Sequence, residues 1–128
     1  MKPSAREWIE KAEADFVSAG RECRARNRPN FDATCFFAQQ CIEKYLKARL
    51  VDAGIVFPKT HDLEALLDLI LPAAPLWNAF RPTLSDLTSF AAAFRYPGES
   101  ATREMARTAL QNAKRIREQI RRDIGLSL

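Results

Sequence analysis

Apolar residues recur at steps of three and four along nearly the whole chain, the period of a helix with one buried face. From Ser4 to about Arg26 the stripe is Ile9, Ala12, Phe16, Ala19 and Cys23, with charged residues around it. Ser4 followed by Glu7 has the form of a capping box. Asn27-Arg28-Pro29-Asn30 interrupts the period. A second helix is predicted from Phe31 to about Ala53. It carries two adjoining stripes: Cys35, Ala38, Ile42, Leu46 and Leu50, then Phe37, Cys41, Tyr45 and Ala48. So wide an apolar arc belongs to a helix with neighbours on two sides, near the centre of a bundle. Gly54 suits the position just past its end.

After Ile55-Val56-Phe57-Pro58, which is too short to read as a strand, Thr60 is the expected N-cap of a third helix, with Asp62 favourably placed for the helix dipole. That helix carries Leu63, Leu66, Leu67 and Ile70 and stops before Pro72. A helical turn is predicted through Leu76–Phe80. A fourth helix opens around Pro82 with Leu84, Leu87, Ala91 and Phe94 inward, and Arg95-Tyr96-Pro97-Gly98 ends it. Ser100 is the expected cap of a long last helix. It turns Ala106, Ala109, Ala113, Ile116 and Ile120 inward and closes at Gly125. Short connections favour antiparallel neighbours, so the expected fold is all-α: an up-and-down bundle of four to five helices forming one domain over residues 1–128.

Composition narrows the picture. The chain is 47% hydrophobic and 28% charged, which excludes wholesale disorder, and its four glycines argue against a turn-rich β protein. Three cysteines, Cys23, Cys35 and Cys41, are an odd number set in apolar periods. This fits packing in a reducing cytoplasm better than a disulfide framework. They lack metal-ligand spacing, and the chain's single histidine supplies too little beside them, so neither a metal nor a cofactor is expected. Nothing approaches the roughly 18 apolar residues of a membrane span, and no secretory leader is read at the start. The net charge of +4 permits an anionic partner without requiring one.

Four groups of residues carry candidate chemistry. Gln39, Gln40, Glu43, Lys44 and Lys47 share about a third of the second helix, at about 100° per residue. They read either as a polar groove for a phosphate or as a solvated face with a Glu43–Lys47 pair. His61, beside Lys59, offers a proton acceptor or donor near neutral pH, or simply fixes the turn into the third helix. Arg95 offers a guanidinium fork for phosphate, with Tyr96 beside it, or else caps a helix end. On the last helix Arg103, Arg107 and Lys114 align as a stripe able to follow phosphates. Acids are interleaved with it, and no aromatic lies among them for base stacking.

Read in order, Trp8-Ile9-Glu10-Lys11-Ala12, Phe37-Ala38-Gln39-Gln40-Cys41-Ile42-Glu43-Lys44, Pro58-Lys59-Thr60-His61-Asp62-Leu63 and Ala93-Phe94-Arg95-Tyr96-Pro97 resemble the HEPN domain family (higher eukaryote and prokaryote nucleotide-binding), from about Ala5 to Arg122. The resemblance implies a helical bundle, often a homodimer. In small prokaryotic members it implies pairing with a minimal nucleotidyltransferase in a toxin–antitoxin-like system. A nucleotide or RNA phosphate would then meet Gln40, Glu43, Lys44, Lys47, Lys59, His61 and Arg95. Other members are metal-independent ribonucleases with an arginine four to six residues before a histidine. Here the nearest arginine upstream of His61 is Arg49, and the motif is missing. A ribonuclease reading would rest on His61, Arg95 and Tyr96, and catalysis is the less expected outcome; the other alternative is a helical homodimer that acts only through protein contacts. Surplus aromatics, Phe36, Trp77, Phe80 and Phe90, are read as a dimer interface.

Overall fold

The computed structural model describes residues 1–94 and 96–128. It contains α1 (Pro3–Arg24), α2 (Phe31–Asp52), α3 (Leu63–Ile70), a 3-10 turn (Pro75–Phe80), α4 (Arg81–Ala93) and α5 (Arg103–Asp123). These are the predicted helices, displaced by a residue or two at their ends. Among the described residues there is no strand, and no helix is long and apolar enough to cross a membrane.

The second helix is the hub. It packs against α1, α3, α4 and α5, which explains its two apolar stripes. Cys35, Ala38, Cys41, Ile42, Tyr45, Leu46, Ala48 and Leu50 are all buried, as are Leu66 and Leu67 of α3, Leu84 and Leu87 of α4, and Ile116 and Ile120 of α5. Trp77 is interior rather than interfacial, with its indole N–H donating to Asp123 Oδ2 at 2.6 Å. An amphipathic ring with its one polar atom satisfied costs little to bury. Phe36, by contrast, stays about half exposed.

Three caps differ from expectation. Lys2 precedes α1 with no side-chain cap, because Pro3 opens the helix and needs no N–H partner. Asp62, not Thr60, caps α3: its Oδ1 accepts from Glu64 N at 3.1 Å and Ala65 N at 3.2 Å, while Thr60 Oγ1 accepts from Asp62 N one step earlier. Thr102, not Ser100, caps α5 through Met105 N at 3.1 Å. At the C-termini, Gly54 and Gly125 take φ of +73° and +81°, conformations open to glycine. Ile55 N then closes on Leu50 O, and Leu126 N on Arg121 O.

A polar clamp ties α1, α2 and α5 together. Glu13 accepts from Tyr45 Oη at 2.6 Å and from Arg117 Nε and Nη2 at 2.7 and 2.5 Å, and Arg121 Nη1 donates to Tyr45 Oη at 2.9 Å. Burial alone would raise the Glu13 carboxyl, but the hydrogen bonds and charges of Arg117, Tyr45 and Arg121 outweigh it and hold the group below the usual carboxylate range. Burial and the Glu13 hydrogen bond push the Tyr45 phenol up, so it stays a neutral donor.

Candidate functional site

The polar residues of α2 are not a solvated face. Gln39, Glu43 and Lys47, one turn apart, are 5%, 2% and 7% exposed. Trp8 of α1 covers Lys47, whose ammonium lies 5.4 Å from the ring centroid, and the segment before α3 covers Gln39 and Glu43. A carboxylate so deeply buried requires partners, and Glu43 has three: Lys47 Nζ at 3.1 Å, Gln39 Nε2 at 3.4 Å and His61 Nδ1 at 3.0 Å. Gln39 Nε2 also donates to His61 O at 3.2 Å, so ring and backbone of the same histidine are held by one helix.

This arrangement fixes the tautomer. An ionised carboxylate only accepts, so the Nδ1 facing it carries hydrogen, and Nε2 is the nitrogen turned away. The imidazole side chain is 83% exposed while the carboxylate behind it is 3% exposed. His61 is therefore an anchored ring with a free outer edge. It stands on the rim of a groove of about 730 Å³ between α2 and α4, where Phe36, Ala91 and Ala92 give apolar walls and Gln40 and Thr88 give polar atoms. Gln40 Nε2 donates to Gln39 Oε1 at 3.0 Å, which couples the groove to the buried network. The Thr88 hydroxyl is buried without a hydrogen-bond partner among the described residues.

The predicted site residues thus separate. Gln40 and His61 meet at the groove. Glu43 and Lys47 lie behind it, neutralising each other. Lys44 turns to α1, where its ammonium contacts the Asp15 carboxylate. Lys59 is exposed in the segment before α3, and Tyr96 is exposed beyond α4, outside the groove lining. Arg95 lies outside the described residues. The free N–H groups at the start of α3 are met by the protein's own Asp62 carboxylate. Phe36, Thr88, Ala91 and Ala92 were not anticipated as site residues. For the buried polar residues the width of the α2 arc was the available signal, since positions 39, 43 and 47 run along the edge of its first apolar stripe. Cys35 and Cys41 are packing groups: burial, then Asp32 and Cys23, push the Cys35 thiol up to about 11, and burial raises Cys41 further.

Comparison with known proteins bears on this geometry. No match is found among curated protein sequences. The crystal structure of an archaeal HEPN homologue superposes with a TM-score of 0.70, covering 97% of this chain and 99% of that one at 24% identity, which is a likeness of fold. The model of the HEPN domain matches residues 5–123. An all-helical bundle, with Gln39-Gln40 and Thr60-His61-Asp62 brought to one edge of its central helix, is thus accounted for: the chain belongs to the HEPN domain family.

Proposed function

We propose that this protein is a HEPN subunit that binds the phosphate of a nucleotide or RNA at the α2–α4 groove and works beside a minimal nucleotidyltransferase in a toxin–antitoxin-like pair. The supporting observation is the anchored His61, whose side chain is largely exposed and which lines the groove together with Gln40. A ring fixed on its inner side loses little freedom when its outer edge meets a ligand. The nucleotidyltransferase partner is supported by family membership together with the missing Arg-x(4–6)-His sequence. The half-exposed Phe36 supports self-association as a homodimer.

Calorimetric titration with ADP and with a short single-stranded RNA tests the phosphate part. Wild-type protein binds, and His61→Ala and Gln40→Ala each weaken binding by about tenfold, the scale of one charge-assisted hydrogen bond. Binding unchanged in both variants would falsify the groove assignment. Co-elution with the adjacent gene's product tests the partner.

A second reading, metal-independent RNA cleavage, is favoured by one feature. A carboxylate–imidazole pair with a free outer nitrogen is the form a general acid or base takes. It predicts cleavage in EDTA that His61→Ala abolishes. No cleavage by wild type removes this reading and leaves the binding one standing.

A further inference from the structure

A second groove, sharing no lining residue with the first, runs between α1 and α5 and encloses about 610 Å³. The two helices are antiparallel, with Glu13 opposite Arg117 at one end and Cys23 sharing the groove with Arg107 at the other. Its floor is apolar: Phe16 and Leu110 are half-buried, and Val17 is 53% exposed. Gly20 removes a side chain from the middle, and the Arg24 guanidinium lies over that bare backbone, within 2.7 Å of where a Cβ would stand. Arg24, Arg107 and Lys114 form a cationic rim. Among the described residues no acid lines this groove, and none of the three cations has an ion-pair partner.

We propose that this groove docks an amphipathic helix with acidic flanks from a protein partner. An apolar floor between two helices offers the seat for a third helix, whose apolar seam would cover Val17, Phe16 and Leu110. Its carboxylates would then meet the three unpaired cations. A second copy of this chain does not fit, because two-fold pairing of this face brings one cationic rim against the other with no acid lining either. Nucleic acid fits less well. Phosphates gain nothing from the apolar floor, and the lining offers a single aromatic ring, Phe16, one face of which is taken by the Arg117 guanidinium 4.8 Å from its centroid, too little for the successive base stacking that a single strand needs.

The test uses the full chain and two synthetic helical peptides with the same leucine seam, one flanked by glutamates and one by glutamines. Affinity is read by fluorescence anisotropy. Occupancy is read by the rate at which a thiol reagent modifies Cys23, which lines this groove while Cys35 and Cys41 are buried. The expected result is about tenfold tighter binding of the glutamate peptide, the scale of a few rim charges, with slowed Cys23 modification. The doubly substituted Arg107→Glu, Lys114→Glu protein loses that advantage. Both positions are exposed, so a circular dichroism melt is expected to be unchanged. Equal affinity for the two peptides, charge-dependent binding that leaves Cys23 unprotected, or protection of Cys23 by a single-stranded RNA in place of the peptide would each overturn the proposal.

Discussion

At the scale of single residues, the decisive facts are which charges face which partners. Glu13 is the clearest case, because one carboxylate serves Tyr45 and Arg117 at once and stands near Arg121. Its carboxyl is held below the range of an unfolded glutamate, about 4.3. A lowered carboxylate contributes stability that is complete above the unfolded value and is lost as pH falls through the folded one. Denaturant titrations from pH 7 to pH 2 are therefore expected to show a loss below about pH 4.5. The loss should shrink in Glu13→Gln. The same variant at pH 7 should cost about 1–3 kcal/mol, the scale of leaving polar groups without their charged partner. An acid limb identical to wild type would show that Glu13 does not carry this dependence.

The buried Glu43 behaves differently. Its role is to hold His61 by Nδ1, not to contact a ligand, so Glu43→Gln tests orientation rather than charge at the groove. A glutamine can still accept from Nδ1, while its amide would face Lys47. Phosphate affinity is expected to survive Glu43→Gln better than Glu43→Ala. Equal loss in the two, measured by the ADP titration, would mean that the negative charge itself matters.

Elements depend on their ends. The short α3 is held by Asp62, whose Oδ1 satisfies two of the free N–H groups, and its position sets where His61 stands. Replacing Asp62 by Ala should destabilise the protein by about 1 kcal/mol, whereas Asn, an equally good cap, should be nearly neutral. Because Asp62 also lies on the groove rim, Asp62→Asn removes a negative charge there while keeping the cap. The expected result is unchanged melting with phosphate binding strengthened by a few-fold. Weaker binding would argue that the rim is not where phosphate sits. The same end effects explain the displaced caps. Two neighbouring hydroxyl or carboxyl residues each suit an N-cap, and only the path of the incoming chain selects between Thr60 and Asp62 or between Ser100 and Thr102.

At the scale of the molecule, α2 is the column that the other helices enclose, so core defects there should outweigh defects elsewhere. Leu46, fully buried in α2, should cost about 2–5 kcal/mol as Leu46→Ala, while Leu76→Ala, at an 89% exposed position, should stay within about 0.5 kcal/mol. Urea melts of the two variants check this, and comparable losses would contradict a core centred on α2. The enclosure of α2 also shapes the groove. It forces Gln39, Glu43 and Lys47 to satisfy one another, leaving Gln40, His61 and Asp62 as polar residues at the groove.

The helices, their inward faces and the all-α class were legible along the chain, because the apolar period of each helix is a local property, read over roughly 10–20 residues. So were the two glycine stops, since only glycine enters a positive φ at little cost. The family signature was legible for the same reason: its motifs are short runs at fixed spacing. Tertiary structure alone decided the fate of the polar groups. Lys44 and Lys47 are three residues apart with the same chemistry, yet one reaches Asp15 on α1 and the other sits under Trp8 against Glu43. Whether a polar residue on a helix faces water, a neighbour or a ligand depends on what lies across from it. That neighbour comes from tens of residues away in sequence, brought there by packing of the whole bundle rather than by any local pattern.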